Sequence, residues 1–365
     1  MEMEDEIKTI FKVGLSVLAS LCYTYFIASK IPQGKLRLFS LLPILYLFFI
    51  LPLSLSTALP AGLVSLFITW VGSFNLLLFS FGLGPLSSQP PPNSLLLFIF
   101  IACLPIKTNN TFGSDHKNPQ NSSPVSGKPH KIPINLPTKV VLFAILVALT
   151  DYQIYLHPKI LLGQYCCMLY LFVDIIVGSC NVIMRASIGI QLESPSDEPY
   201  LSTSLQDFWG RRWNLMITNI LRHTIYKPVR SAMEVYIGTE WAPLPAALAA
   251  FLVSGLMHEI IFFYTTRSTP TWEVTLFFIL HGVCLVVEVG VKKVLTPKWQ
   301  WHWAVSVPLT LGFVVVTAIW LFFPPLVRNG VDARAIEECK ELLEFIKQKL
   351  KLDGLVSKTT LFLDH

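Results

Sequence analysis

The sequence predicts an all-α membrane protein, a polytopic bundle of about eight to nine transmembrane helices with interfacial helices beside it. Three observations carry that prediction. Hydrophobic residues make up 53% of the 365 positions and charged residues only 14%, against roughly 25% charged in an average soluble domain. Apolar runs of the length needed to cross a hydrocarbon core of about 30 Å recur along the chain. The cations sit in the loops between those runs, as they do in cytoplasmic membrane loops. A soluble enzyme and a disordered chain are excluded, because polar surface is too scarce to coat a water-soluble globule of this length. The net charge of +5 is mild and is spread over those loops. The expected surroundings are therefore the lipid bilayer, with no nucleic-acid partner.

Nine apolar runs are candidate spans: Phe11–Ala28, Leu36–Leu55, Ala61–Leu83, Ser94–Ile106, Val140–Leu156, Ile160–Ile183, Ala242–Tyr264, Trp272–Val291 and Trp303–Phe323. Ser94–Ile106 is too short to cross unaided, so the expected count is eight or nine. The acidic start MEMEDEIKTI lacks the basic start of a cleavable signal, so the first run is expected to be retained. Together the runs make one membrane-embedded domain over 1–365. Lys107–Lys139 carries five lysines among Asn, Pro and Ser and is expected to be a flexible cytosolic loop. It holds two sequons, at Asn109 and Asn121, which a cytosolic loop would leave unmodified. The stretch 185–240 is long, basic and aromatic, and is expected to be cytosolic or interfacial. Residues 328–365 form a polar tail with a helical stretch around Ala335–Lys351. Basic-loop bookkeeping conflicts at one point. Simple alternation of nine spans puts Lys30–Arg37 opposite the other basic loops, so one run should be re-entrant or interfacial. Six of the seven cysteines lie in apolar runs and count as small hydrophobes.

The chemistry concentrates in two places. In APLPAALAAFLVSGLMHEIIFFY (Ala242–Tyr264), His258 and Glu259 lie about 17 residues into an apolar helix. Ionisable groups at that depth are costly and mark either a site or a hydrogen bond to a neighbouring helix. In an apolar pocket the imidazole of His258 is expected to be neutral and able to take a proton. Ser254 shares its helical face, and Gly255 permits close approach of another helix or a substrate. Glu259 points about 100° away and is expected to brace a neighbour. The second place is LSTSLQDFWGRRWNLMITNILRHTIYKPVR (Leu201–Arg230). Ser204 and Asp207 fit a capping box. Leu205, Phe208, Trp209, Met216, Ile217, Ile220 and Leu221 form a stripe at helical spacing. The stripe predicts a helix lying in the interface, its aromatics at headgroup depth. Arg211, Arg212, Lys227 and Arg230 either line the solvated side of such an anchor or hold phosphates, for which guanidinium forks suit the geometry. Asn214 is either an exposed amide or part of a site. His281 is a second buried imidazole, structural or site-lining, and Asp174 and Asn181 are further intramembrane polar groups. No phosphate-loop, dinucleotide, nucleophile-elbow or zinc spacing occurs, and no histidine is followed by HxxxD or HxxxxD. No metal is expected.

The segments SLQDFWGRRWN (Ser204–Asn214) and SGLMHE (Ser254–Glu259) resemble the membrane-bound O-acyltransferase superfamily, in which an aromatic-Trp-Asn segment precedes an intramembrane histidine. Here Asn214 and His258 stand 44 residues apart. The acidic start, the run DEPYLSTSLQDFWGRRWNL from Asp197, and TWEVT at Thr271–Thr275 followed by FFILHGVC are most similar to the plant wax synthases. The resemblance implies a multi-helix protein of the endoplasmic reticulum membrane. It implies transfer of an acyl group from acyl-CoA, a substrate rather than a cofactor, to a long-chain fatty alcohol, giving a wax ester and CoA. It assigns catalysis to His258 and Asn214, and acyl-CoA contact to Trp209, Arg211, Arg212 and Trp213, with Lys227 and Arg230 nearby. Glu259, Ser254 and His281 are supporting residues. Plant relatives include sterol acyltransferases, so a sterol or another lipid alcohol is an alternative acceptor. From a different class, a transporter would use His258, His281 and Asp174 as a polar path.

Overall fold

The computed structural model describes residues 2–87, 94–104, 134–188, 196–294, 302–341 and 344. Among them every regular element is helical. Eight helices are long and apolar enough to cross a membrane: α1 (Glu4–Lys30), α2 (Lys35–Ser54), α3 (Ala58–Ser80), α5 (Leu136–Gln153), α6 (Pro158–Ala186), α9 (Pro243–Thr266), α10 (Glu273–Lys293) and α11 (Trp303–Arg328). Between them lie α4 (Leu95–Cys103), α7 (Leu215–Leu221) and α8 (Lys227–Trp241). A last helix, α12, covers 331–341. Helices dominate for a physical reason: in hydrocarbon each backbone N–H and C=O must be satisfied inside its own segment. Large side chains such as Phe11, Phe39, Tyr46, Val316 and Trp320 are exposed, as expected where lipid rather than water covers the bundle.

The short run resolves the conflict among the basic loops. α4 has nine residues, about 13 Å of helix, and does not cross. Phe98 packs on Tyr25 and Phe79, near the last turns of α1 and α3. The Asn75 side-chain amide donates to the carbonyls of Ile101 and Ala102 at 3.3 and 3.0 Å. With α4 removed from the alternation, the Lys30–Lys35 turn falls at the same end of the bundle as the 196–241 stretch and Lys292–Lys293. Lys293 there donates to the Glu240 carbonyl, tying the end of α10 to the end of α8. The buried Arg37 donates to the carbonyls of Ile31 and Phe79, and its guanidinium lies 4.7 Å from the Phe79 ring centre.

The opposite end is held by carboxylates and capped carbonyls. Glu6 accepts from the backbone N–H groups of Ser56 and Thr57, and Glu338 of α12 accepts from Ala58 and Leu59 at 2.6 and 2.7 Å. Two anions at the start of α3 meet the positive end of its dipole. Arg267 donates to the carbonyls of Pro52, Leu53 and Leu55. Residues 107–133 of the expected 107–139 loop, both sequons, and 342–343 and 345–365 of the tail lie outside the described residues, while 136–139, expected in the loop, form the first turn of α5, capped by the Asn135 side chain. α12 starts at 331, four residues before the predicted stretch.

The helix pair that matters most is α9 with α10. A Cβ on Gly255 would stand 3.0 Å from the Thr275 Cα, and one on Gly282 would stand 2.9 Å from the Phe251 Cβ. Two glycines, one on each helix, thus let the pair approach closely.

Candidate active site

His258 lies on α9, eight residues before Thr266, about 12 Å from that end of the helix. Its Nδ1 is 2.8 Å from the backbone carbonyl of Ser254. A carbonyl can only accept, so Nδ1 carries the proton of the neutral ring and Nε2 carries the lone pair. Nε2 has no hydrogen-bond partner among the described residues. The ring is half-buried rather than sealed. Phe278 of α10 stacks on it, with ring centres 4.3 Å apart and planes 28° apart. Trp70 of α3 stands perpendicular at 5.1 Å, and Phe322 of α11 at 5.8 Å and 68°. Four helices meet at this imidazole.

His281 sits at the same depth, eight residues after Glu273 on α10, and is fully buried. Its environment differs. The Trp209 indole N–H donates to Nδ1 at 3.0 Å. Nε2 must then carry the proton, and it donates to the Thr317 hydroxyl at 2.8 Å. That hydroxyl donates onward to the Phe313 carbonyl at 2.7 Å. Both ring nitrogens are committed, and the chain locks the re-entrant segment, α10 and α11 together.

The contact of Trp209 with His281 corrects one expectation. The stripe from Leu205 to Leu221 predicts a single helix at headgroup depth. The structure has two short helical pieces that dip into the bundle. Leu205–Asp207 runs into a π-helical turn over Phe208–Arg212. The chain then extends at Trp213 and turns left-handed at Asn214 (φ 40°, ψ 62°) before α7 starts. Asparagine tolerates that conformation, and its side chain can cap the helix that follows. Met216, Ile217, Ile220 and Leu221 bury in one cluster with Trp70, Val71 and Met257. Apolar periodicity cannot distinguish such a folded hairpin from one amphipathic helix, because both pieces keep the helical spacing. The helix that is largely exposed is α8, with Val235, Tyr236 and Trp241 on its surface.

Hydrogen bonds hold the dip in place. The Ser204 hydroxyl accepts from the Asp207 N–H at 3.1 Å. Arg212 Nε donates to the Asp207 carboxylate at 2.8 Å, and one terminal nitrogen donates to the carbonyls of Asp197 and Glu198. Arg212 therefore acts as a strut of the loop, with two of its three nitrogens engaged. Asp174 of α6 pairs with Lys139 of α5 at 2.5 Å and accepts from Ser196 at 2.7 Å. This buried group anchors the start of the loop. Trp213 stacks on Phe208 at 5.6 Å and 11°. Arg211 is exposed, Arg230 pairs with Glu234 at 2.9 Å, and Lys227 lies 3.2 Å from a ring nitrogen of His223.

The Oδ1 of Asn214 accepts from the Ile217 N–H at 3.3 Å, so only its NH₂ group is left to donate elsewhere. No hydrogen bond joins Asn214 to His258. Their helices meet instead through the cluster that holds Met216, Ile217, Trp70 and Met257. Glu259 accepts from the Thr275 N–H at 3.2 Å, in the first turn of α10. Ser254 contributes its carbonyl to His258. Sequence reasoning missed Trp70, Phe278, Phe322 and Thr317. Each stands in an unbroken apolar run, where nothing local separates a ring facing a site from a ring facing lipid.

A family model described as membrane bound O-acyl transferase matches residues 193–280, the stretch that contains Trp209, Asn214 and His258. A long-chain-alcohol O-fatty-acyltransferase of Simmondsia chinensis is 44% identical over 351 residues, 96% of this chain and 98% of that protein. The chain belongs to the membrane-bound O-acyltransferase family. A probable long-chain-alcohol O-fatty-acyltransferase 3 of Arabidopsis thaliana is 42% identical, covering 96% of this chain and 98% of its own length. An acyl-CoA–sterol O-acyltransferase 1 of the same plant is 39% identical, covering 88% and 91%. As a membrane-bound O-acyltransferase, this multi-pass protein is an enzyme rather than a transporter. Of the three polar groups that a transport path would use, two are already paired, Asp174 with Lys139 and His281 on both nitrogens, and only His258 keeps an open nitrogen.

Proposed function

We propose that this enzyme transfers the acyl group of acyl-CoA to a long-chain fatty alcohol, giving a wax ester and CoA, with His258 as general base. The observation that carries this proposal is the tautomer of His258. Its Nδ1–H is fixed on the Ser254 carbonyl, and its Nε2 has no partner among the described residues in a half-buried setting of aromatic rings. Relatives named for long-chain-alcohol acyl transfer, matched over nearly their full length, support the acceptor.

A hydroxyl becomes an adequate nucleophile when its proton leaves as it attacks. Nε2 of His258 takes that proton while the alcohol oxygen bonds to the thioester carbonyl carbon. The tetrahedral intermediate collapses, the C–S bond breaks, and the imidazolium returns the proton to the departing thiolate. No covalent enzyme intermediate is required, because the thioester is already activated. General-base help of this kind is worth roughly 10²–10⁴ in rate, and holding two lipids in one site adds a proximity term. The free NH₂ of Asn214 suits the developing oxyanion. Its Oδ1 accepts the cap bond from Ile217, and the Nδ1–H of His258 is already held by the Ser254 carbonyl, which argues against orientation of His258 by that atom. The basic end of the bundle faces the cytosol by the positive-inside rule, and the membrane is that of the endoplasmic reticulum. Arg211, Lys227 and Arg230 then meet the CoA phosphates at that face, with Trp209, Arg212 and Trp213 shaping the entry behind them.

A sterol acceptor is the second reading, favoured by the sterol-acylating relative. One experiment separates the two. Membranes from a host without ester synthesis receive labelled acyl-CoA with fatty alcohol, sterol and diacylglycerol in competition. Labelled wax ester, lost in His258→Ala at equal protein level, is the expected result. Steryl ester alone moves the acceptor, and ester formation undiminished by His258→Ala removes the base assignment.

A further inference from the structure

We propose that Trp70 and Phe278 form an aromatic clamp that positions His258, with Trp70 acting as a positioning residue of the reaction. The inference rests on His258 being the reacting base. It starts from an oddity of helix geometry. Four stretches of the described chain are π-helical: Ser65–Gly72, Phe208–Arg212, Arg222–Tyr226 and Ala318–Phe322. Wide turns of this kind are rare and cluster at functional sites. Three of the four deliver a ring to the same place. Ser65–Gly72 carries Trp70, and Ala318–Phe322 carries Phe322, both against the His258 ring. Phe208–Arg212 carries Trp209, whose ring centre lies 5.6 Å from that of Phe278. Phe278 in turn stacks on His258.

Trp70 has a second peculiarity. It is fully buried, yet its indole N–H has no acceptor. A buried unpaired donor is a net cost to folding. A tryptophan kept at that cost is not there for a structural hydrogen bond. The neighbouring Thr69 shows what a bond of that kind looks like here, donating to the Phe48 carbonyl at 2.7 Å. What Trp70 supplies is a large rigid ring standing at 86° to the imidazole. Perpendicular and stacked ring pairs are both favoured beyond simple burial. Together with the Ser254 carbonyl they leave the imidazole one orientation. Orientation matters to the rate, because about 1 Å of misplacement can cost about 10²-fold.

The test compares Trp70→Leu, which removes the ring, with Trp70→Phe, which keeps an aromatic face and discards the stranded N–H. Both are measured as kcat and KM for acyl-CoA in membranes, with folded protein quantified by thermal unfolding. His258→Ala is run beside them. The expected result is a kcat for Trp70→Leu lowered about 10-fold or more, with KM within about threefold of wild type. Trp70→Phe should recover kcat to within about threefold. Three results overturn the clamp: normal turnover in Trp70→Leu, a loss shared equally by Leu and Phe, or a loss that tracks the amount of folded protein alone. His258→Ala separates the two levels. If it is inactive while Trp70→Leu turns over normally, the clamp alone falls. If it is active, the base assignment falls and the clamp with it.

Discussion

His258 and His281 are two imidazoles on adjacent helices, each eight residues from the same end of its helix, the first half-buried and the second fully buried. Around His281 every polar valence is used: Trp209 donates to one nitrogen and Thr317 accepts from the other. Around His258 only Nδ1 is used, and three aromatic rings surround the rest. A saturated imidazole is a fastener, because moving its proton would break two hydrogen bonds. An imidazole held by one nitrogen, with the other left open, is free to take a proton, as the proposed base must. Depth does not separate the two rings; hydrogen-bond satisfaction and burial do.

Changes at either imidazole sharpen or break that contrast. The largest expected effect is on turnover. His258→Ala should lower kcat by about 10²–10⁴ with little change in unfolding temperature, checked by initial ester synthesis per folded molecule. Next comes Asn214→Ala, expected to lower kcat by about 10²-fold through loss of an oxyanion donor. It should also cost about 1 kcal/mol of stability through loss of the α7 cap. Asn214→Gly accepts the left-handed backbone and should retain more stability but no more activity, a split that thermal scans and rate assays read together. For the fastener the sign reverses. His281→Ala strands the Trp209 indole N–H and removes the donor to the Thr317 hydroxyl, so unfolding temperature should fall by the equivalent of about 1–3 kcal/mol. Rate per folded molecule should change far less than in His258→Ala. The smallest effect belongs to the basic end. Arg211→Ala should raise KM for acyl-CoA severalfold at unchanged kcat, whereas Arg212→Ala should lower stability first, because it unties Asp207 from the 197–198 backbone.

Much of this was legible in the sequence. The apolar runs located all eight spans, most ends within four residues and the start of α1 seven residues late, since a helix in hydrocarbon is dictated by composition and length alone. Ser94–Ile106 was too short on inspection, and the basic Lys30–Arg37 turn already demanded that one run fail to cross. His258 stood out because an ionisable group is conspicuous in an apolar run, whereas Asn214, in a basic polar stretch, was singled out by the family resemblance alone. The break at Trp213–Asn214 was not, since a left-handed asparagine leaves helical spacing intact on both sides. Trp70 and Phe322 were equally hidden. Their importance comes from π-helical turns, which shift a ring round the helix without any sequence marker. Arg212 had the composition of a phosphate ligand, and only the fold around Asp207 and Asp197 reveals a strut.

The contrast between the two imidazoles is tested most directly by His258→Gln and His281→Gln side by side in the same membranes, each scored for ester formed per folded molecule and for unfolding temperature. The prediction is a crossed result: His258→Gln stable and without turnover, His281→Gln less stable but turning over. Turnover in His258→Gln at near wild-type rate, or its loss only in His281→Gln, would contradict the assignment of the open nitrogen as the base.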